Sequence, residues 1–131
     1  MKIAERTFVD TDVLIDLARN LPRAVQFCRR AEAHGGLACS VISVMELLQG
    51  CRTTQDQSTL LKNLAAVDVI HVESGDSADA LKWYRSYHAS QGIGILDCFI
   101  AAAASRLDLT VHTLNTKHFR VVPGLQVKRP Y

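Results

Sequence analysis

The chain has 131 residues, of which 48% are hydrophobic and 21% charged, and its formal net charge is +2. This composition excludes a disordered or fibrous protein and predicts a single domain over residues 1–131, built around one hydrophobic core. The longest wholly apolar run, at 98–104, is too short to cross a bilayer, and residues 1–8 carry charges where an export signal needs its apolar segment. We therefore expect a soluble, cytoplasmic protein with no membrane association.

Short apolar and β-branched runs predict four β-strands, at residues 6–11, 36–43, 67–72 and 109–115. Each run adjoins a segment in which apolar residues have helical spacing. These segments lie at Val13 to Leu17, after Pro22, between Gln55 and Ala66, between Ala78 and Tyr87, and at 98–107. Strands that alternate with helices predict an α/β fold of three layers, in which helices flank a central parallel sheet.

Acidic residues recur where predicted strands end and the following helices begin. Asp10 closes the first strand, Glu46 opens the helix after the second, and Asp97 opens the alanine-rich helix. In an open parallel sheet the carboxyl ends of the strands share one edge with the N-termini of the helices that follow. The three carboxylates are therefore expected to converge at that edge.

Each acid also has a structural explanation. Asp10 or Asp12 can cap the first helix, because Asp is favoured at the N-cap. Ser43 and Glu46 fit the two ends of a capping box, and Asp97 can cap its own helix and complement the helix dipole. Taken singly, these roles account for the acids. Taken together, they leave unexplained why the acids collect on one edge of the sheet.

Clustered carboxylates predict a bound cation, because their mutual repulsion raises their pKa values and opposes folding unless a positive charge is present. Ligands that are all oxygen indicate Mg²⁺ or Mn²⁺. The four cysteines, at positions 28, 39, 51 and 98, contain no Cys-x-x-Cys pair, which argues against zinc. A hard cation held by carboxylates ordinarily serves phosphoryl chemistry.

Three blocks of the sequence resemble, in order, the signatures of the PIN-domain ribonucleases, and specifically of the VapC toxins of bacterial toxin–antitoxin pairs. The blocks are "FVDTDVLIDL" at 8–17, "SVISVMELLQG" at 40–50 and "GILDCFIAAAASRLDLTVHTLNTKHF" at 94–119. The resemblance implies a metal-dependent endoribonuclease that hydrolyses RNA phosphodiester bonds and acts as a toxin.

By position, the resemblance makes Asp10, Glu46 and Asp97 the residues that hold Mg²⁺ or Mn²⁺ and activate water. It gives Thr11 a supporting role in the loop after the first strand. Beside these residues, Asp12 is predicted to be a helix cap.

The resemblance also places Thr113 and Asn115 along the site, Thr113 in support and Asn115 among the catalytic groups. Many PIN domains carry a fourth acid between positions 115 and 118, whereas this chain has Asn-Thr-Lys-His there. Asn115 can ligate a metal or orient water but supplies no charge, which leaves open whether one ion binds or two. His118 is either a surface residue or a phosphate contact.

Two rival functions remain at this point. "DTDVL" at 10–14 also fits the nucleophile motif of haloacid-dehalogenase-type phosphatases, but "GDSAD" at 75–79 lacks the strand-end lysine that those enzymes need. The second rival is a PIN-like RNA-binding module with weakened catalysis, which the missing fourth acid favours. Against it, all three principal acids are present.

The resemblance implies three partners: an RNA substrate, a separate antitoxin and a second copy of the chain in a homodimer. In the family an antitoxin segment fills a groove beside the acids and often inserts an arginine, which can pair bidentately with a carboxylate. The helices predicted at 22–34 and 55–66 carry apolar stripes that a domain of this size need not cover, which leaves surface for partners.

The C-terminal end of the chain is basic. Residues 109–131 contain no acid, and they hold Lys117, Arg120, Lys128 and Arg129. This segment is either a solvated tail or a contact for RNA phosphates.

Overall fold

The structure of the chain, a computed structural model, describes residues 6–131. Its strands are β1 (Thr7–Val9), β2 (Leu37–Ser40), β3 (Asp68–Ile70), β4 (Val111–His112) and β5 (Val127–Lys128). Its helices are α1 (Thr11–Ala18), α2 (Pro22–Ala33), α3 (Val41–Gln49), α4 (Thr54–Asn63), α5 (Ser74–Gln91), α6 (Ile95–Arg106) and α7 (Thr116–Phe119). The alternation of strands and helices confirms the predicted α/β fold.

The strands form one sheet in the order β3-β2-β1-β4-β5, and every neighbouring pair is parallel. β1 lies at the centre, where Phe8 is in register with Ala38 of β2 on one side and with Val111 of β4 on the other. From β1 the chain builds outward to β3 and then returns to add β4 on the opposite side. The strand order therefore reverses between β1 and β4, and such a reversal opens a crevice at the carboxyl edge of the sheet.

Both faces of the sheet are covered by helices. Phe8 packs into a core cluster with Ile100 and Trp83, whereas its neighbour Val9 packs into a second cluster with Val13 and Cys28. Adjacent residues of β1 thus point to opposite sides, as a strand requires, and both are fully buried. Burial on both faces explains why the strands read as continuous apolar runs in the sequence.

The four predicted strands are confirmed but are shorter than predicted. The second ends at Ser40, because the Ser40 hydroxyl accepts a hydrogen bond from the amide of Ile42 at 3.0 Å and so caps α3. Residues 41–43, predicted as strand, are therefore helical. β5 was not predicted, because the residues around it do not form an apolar run, and α7 was not predicted, because its four residues are too few to show a periodic pattern. No helix among residues 6–131 is long and apolar enough to cross a membrane.

Candidate active site

Asp10 lies at the crevice between β1 and β4, at the point where β1 ends. It is the N-cap of α1, and its Oδ1 accepts a hydrogen bond from the backbone amide of Thr11 at 2.8 Å. Its Oδ2 accepts from the hydroxyl of Thr113, which directly follows β4, also at 2.8 Å. Asp10 is only 6% exposed. Both carboxylate oxygens are therefore fixed by residues that follow the two strands bordering the crevice.

The surroundings of Asp10 favour its protonated form. Burial, and after it the negative charge of Asp12, raises the pKa of Asp10 from 3.8 to about 7. Hydrogen bonds from Thr113 and Thr11 act in the opposite direction, and the charge of Asp97 adds to the rise. The Asp10 side chain thus carries a proton for much of the time near neutral pH, unless a cation compensates its charge.

Asp12 is not the cap that the sequence predicted. α1 begins at Thr11, which puts Asp10 at the N-cap and Asp12 inside the first turn. The Asp12 side chain turns toward β4 instead, and its Oδ2 accepts from the backbone amide of Leu114 at 2.9 Å and from the hydroxyl of Thr113 at 3.3 Å. Its Oδ1 is buried and has no hydrogen-bond partner among residues 6–131. Burial is the main reason that the pKa of Asp12 is raised.

Glu46 reaches the site from α3 and is held there by Thr11. The Thr11 hydroxyl donates to Glu46 Oε1 at 2.7 Å and lies 2.8 Å from the hydroxyl of Ser43. The predicted capping box between Ser43 and Glu46 is wrong, because Ser40 caps α3 and Ser43 is buried in its first turn. For the same reason Glu46 does not open the helix, of which it is the sixth residue. Ser43 and Thr11 instead orient the glutamate toward the carboxyl end of β1.

Asp97 is the third residue of α6 and faces the same edge. Burial is the largest cause of its raised pKa, which the charge of His118 lowers and the charges of Glu46 and Asp12 raise further. These mutual effects show that Asp97 lies within electrostatic range of the acids from α1 and α3.

Asn115 and His118 border Asp97 at the start of α7. The Asn115 side-chain nitrogen lies 2.8 Å from His118 Nδ1, and His118 Nδ1 lies 3.8 Å from Asp97 Oδ2. The backbone amide of Asn115 donates to the Thr113 hydroxyl at 3.0 Å. His118 is thus a neighbour of the acids, although the sequence left its place open. The sequence signal for this position was the three-residue spacing between Asn115 and His118, which is about one helical turn.

The side chains at this edge offer carboxylate oxygens that suit a hard cation, although in this structure those oxygens accept hydrogen bonds. Within residues 6–131 no three or more His, Cys, Asp or Glu side chains are grouped so as to hold a metal ion. Asp10 uses both oxygens on Thr11 and Thr113, and Glu46 is turned to Thr11. The donors are nevertheless carboxylate oxygens, and one of them, Asp12 Oδ1, is buried without a partner.

Comparison with known proteins identifies relatives over most of the chain. The model of the PIN domain family matches residues 7–125. Ribonuclease VapC10 of Mycobacterium tuberculosis is 35% identical over 125 residues, which cover 94% of this chain and 91% of that protein. Ribonuclease VapC19 of the same organism is 29% identical, with coverage of 90% and 95%.

Solved structures with the same fold include toxin–antitoxin complexes. A toxin-antitoxin complex from Klebsiella pneumoniae matches with a TM-score of 0.77 and 27% identity, covering 95% of this chain and 98% of that one. VapBC-1 from nontypeable Haemophilus influenzae matches with a TM-score of 0.77 and 25% identity, covering 94% and 96%. The chain therefore belongs to the PIN-domain family, in its VapC branch, as the three sequence blocks predicted.

Proposed function

We propose that the chain is a metal-dependent endoribonuclease that hydrolyses RNA phosphodiester bonds and acts as the toxin of a toxin–antitoxin pair. One observation carries the proposal: Asp10 is buried at the crevice of a parallel sheet, within range of the charges of Asp12 and Asp97, and Asp97 is in turn within range of Glu46. The two Mycobacterium tuberculosis relatives are named ribonucleases, which supports the same activity here. Membership of the PIN family argues against the haloacid-dehalogenase alternative.

Mg²⁺ or Mn²⁺ is the cofactor that we propose, with Asp10, Glu46 and Asp97 as the residues that would hold it. When bound, such an ion supplies positive charge to the scissile phosphate and makes the attacking water more acidic. Carboxylate oxygens are the ligands that these ions prefer. The repulsion among the acids, which helps to raise the pKa values of Asp10 and Asp97, is relieved by the same positive charge.

The neighbours of the acids fix their orientation. Thr113 and the amide of Thr11 hold the two oxygens of Asp10, and the Thr11 hydroxyl holds Glu46. Side chains that are held before substrate arrives lower the entropy cost of reaching the reactive geometry. These contacts support the roles predicted for Thr11 and Thr113.

Asp10 can gain or lose a proton near neutral pH, because its pKa is raised to about 7. In its ionised form it accepts a hydrogen bond from water. Asn115 contributes an amide without charge, and its contact with His118 fixes the direction of that amide. We assign Asn115 to the orientation of water or RNA.

A separate antitoxin is the regulatory partner that we propose, and the matched Klebsiella structure is described as a toxin–antitoxin complex. A largely apolar cavity of about 310 Å³ lies between α1, α3 and α4 and is lined mainly by leucines, together with Ala18, Asn20 and Asn63. No residue of α4 is buried, and Leu61 is 48% exposed. This groove offers an apolar binding surface for an antitoxin segment. An arginine on that segment can pair with the acids in place of the metal.

A homodimer completes the proposal. α5 and α6 leave a second apolar surface uncovered, where Leu81 is 62% and Ile95 is 55% exposed. Tyr84 and Phe99 line a cavity of about 320 Å³ beside them. A second copy of the chain would remove this surface from water.

The decisive experiment is to incubate the purified, partner-free chain with total cellular RNA in Mg²⁺, in Mn²⁺ or in EDTA, and to map the new RNA ends. We expect defined cleavage sites in the presence of either ion and none in EDTA. Equal cleavage after exhaustive chelation would contradict the metal mechanism. RNA binding without cleavage in any condition would favour the RNA-binding module with weakened catalysis.

Asp97→Asn sharpens this experiment, with Asp56→Asn as the matched control. Each aspartate is the third residue of its helix, and Asp56 lies on the exposed helix α4. Asp97→Asn should remove most of the cleavage, because an amide binds divalent cations poorly. The fold should stay intact. Asp56→Asn should cleave as the parent does. Equal activity of the two variants would show that Asp97 serves its helix only.

A further inference from the structure

Three neighbouring strands end level with one another at the crevice. Val9, the last residue of β1, is in register with His112 of β4, and His112 is in register with Lys128 of β5. Strands in a sheet lie about 4.8 Å apart, so Lys128 is about 10 Å from the end of β1, where Asp10 begins the acidic site. The basic segment identified in the sequence therefore passes beside the acids.

Hydrogen bonds through Thr113 connect β5 to the acidic site. The backbone amide of Thr113 donates to the carbonyl of Lys128 at 3.1 Å, and its hydroxyl donates to Asp10 Oδ2 at 2.8 Å. Arg129 directly follows Lys128, and its Nε donates to the carbonyl of Tyr131 at 3.1 Å. The backbone that carries these two basic side chains is thus fixed relative to Asp10.

Three exposed basic residues on this side of the crevice, Lys117, Lys128 and Arg129, form a surface that we call the basic flank. Lys117 lies on α7, which packs against β5 and places His118 3.8 Å from Asp97. Within residues 6–131 no salt bridge involves the basic flank. Its positive charges are therefore available to an anion from outside the chain.

The two sides of the crevice differ in the sign of their charge. On the side of β2, α3 brings Glu46 to the edge, where the Thr11 hydroxyl holds it. On the side of β5, residues 109–131 contain no acid. The crevice acids repel the phosphates of a nucleic acid, so a phosphate backbone that approaches them is attracted only where positive charge is exposed beside them.

We propose that the basic flank binds the phosphate backbone of the RNA substrate, so that the RNA strand leaves the acidic crevice across β4 and β5. This inference rests on the proposed function, because it takes RNA as the substrate of the crevice. The flank binds and positions the RNA and takes no part in the chemical step. Contacts to phosphates carry no sequence information, so the flank sets the affinity and the path of the strand, whatever sequence is cut.

The test compares two double variants, each of which removes one lysine and one arginine charge. Lys128→Gln combined with Arg129→Gln alters the basic flank and keeps the backbone hydrogen bond to Thr113. Lys62→Gln combined with Arg30→Gln is the control, because both residues are exposed and lie in the last turns of α4 and α2. These helices end shortly before β3 and β2 begin, so the control positions lie toward the opposite edge of the sheet.

Binding of a fluorescent single-stranded RNA of mixed sequence to the purified full chain is measured by anisotropy in EDTA at several salt concentrations. We expect the flank variant to bind about tenfold more weakly than the parent, and the control to stay within about threefold. Each phosphate contact contributes about 0.7 to the slope of log affinity against log salt for a single strand. The flank variant should therefore have a slope that is shallower by about 1.4, with the control unchanged.

Cleavage in Mg²⁺ separates binding from chemistry. The flank variant should have a raised KM and an unchanged kcat, because saturating RNA compensates for the lost phosphate contacts. A lowered kcat with an unchanged KM would contradict a role in binding.

A second measurement uses the parent chain and remains decisive if the flank variant fails to fold. Acetylation of lysines is followed by mass spectrometry with and without RNA. Lys117 and Lys128 should be protected by RNA, whereas Lys62 and Lys82, exposed on α4 and α5, should react as they do without it. Equal reactivity of Lys117 and Lys128 in both conditions would overturn the proposal.

The outcomes distinguish failure of this inference from failure of the proposed function. If the flank variant binds RNA with the affinity and salt slope of the parent and still cleaves it, the flank is a solvated surface and the nuclease stands. If it binds RNA normally but binds a co-purified antitoxin less tightly, the flank serves a protein partner and the inference is wrong. If the parent binds RNA through the flank but never cleaves it, the nuclease fails and the binding surface stands. A parent that binds no RNA would refute both.

Discussion

Two buried aspartates of this chain have opposite surroundings. Asp76, in the first turn of α5, is 1% exposed, and its carboxylate accepts from the Arg106 guanidinium at 2.9 and 3.1 Å and from the Glu73 amide at 3.0 Å. Asp10 is 6% exposed, and its hydrogen bonds come from a hydroxyl and one backbone amide. Within residues 6–131 no salt bridge reaches Asp10, whose charged neighbours are other acids.

The difference separates a carboxylate that serves the fold from one that we propose serves a ligand. The fold supplies Asp76 with its own cation in a bidentate pair, which compensates for the loss of water. It supplies Asp10 with none, and the burial of that group opposes folding. An uncompensated acid in a crevice, beside further acids, indicates that the missing positive charge comes from outside the chain.

The largest effect is expected for Asp10→Asn. This change should lower the rate of RNA cleavage about a hundredfold or more, because a direct contact to the cation is lost. It should not lower the stability of the metal-free chain, since Asn is also a good N-cap and the uncompensated charge is removed. Initial rates in Mg²⁺ and urea unfolding in EDTA measure the two quantities. A fully active Asp10→Asn variant would contradict the distinction drawn between Asp10 and Asp76.

The stability of the metal-free chain should fall as the pH rises from 5 to 7.5. The pKa of Asp10 is about 7 in the folded chain against an ordinary 3.8, so between these values the folded state binds more protons than the unfolded state. The free energy of unfolding then decreases with pH, by on the order of 2 kcal/mol over this window.

Urea unfolding in EDTA at the two pH values tests this expectation, with Asp10→Asn as the control that should show a smaller dependence on pH. If the parent chain is equally stable at both pH values, burial of the ionised Asp10 carboxylate costs little free energy. Saturating Mg²⁺ should reverse part of the loss at pH 7.5, because the ion binds the folded state only.

Asp76→Asn should have the opposite profile to Asp10→Asn. It should lower the free energy of unfolding by about 1.5 kcal/mol, because Arg106 loses charged hydrogen bonds, and it should leave the cleavage rate of the folded chain unchanged. Asp79→Asn, an exposed change on the same helix, is the matched control and should alter neither quantity. Loss of cleavage without loss of stability in Asp76→Asn would refute the structural role.

The smallest effect is expected for His118→Gln. The charge of His118 lowers the pKa of Asp97, so the variant should raise that pKa, which ¹³C titration of the carboxyl group can follow. Cleavage should fall by about tenfold or less, since His118 acts through a neighbouring acid and does not compensate Asp10. His71→Gln, an exposed change after β3, is the control. A hundredfold loss of cleavage would instead place His118 among the groups that contact RNA.

The sequence was sufficient for the sheet, because buried parallel strands leave apolar runs, and it predicted that Asp10, Glu46 and Asp97 share the edge where the strands end. It was not sufficient for the direction of the Asp12 side chain. That direction depends on α1 starting at Thr11 and on the Leu114 amide, 102 residues away. Helix boundaries are uncertain by one or two residues in any sequence pattern, and one residue decides which acid is the cap.

Ser43 was also misassigned as a cap, since the cap of α3 is Ser40, three residues earlier. The pair of Asp76 and Arg106 joins residues 30 apart on two different helices, and no periodic pattern reports such a contact. Local spacing therefore predicted which elements form, and long-range hydrogen bonds determined what their side chains do.

The hydrogen bond between Thr113 and Asp10 joins residues 103 apart, and it has a consequence for protein synthesis. β1 can pair with β2 early, whereas its other neighbour β4 leaves the ribosome more than a hundred residues after Asp10. Until then the growing sheet has an open flank, and neither Thr113 nor Leu114 is present to position the acids. A nascent chain of this protein therefore lacks the assembled acidic edge until nearly all of the domain has left the ribosome.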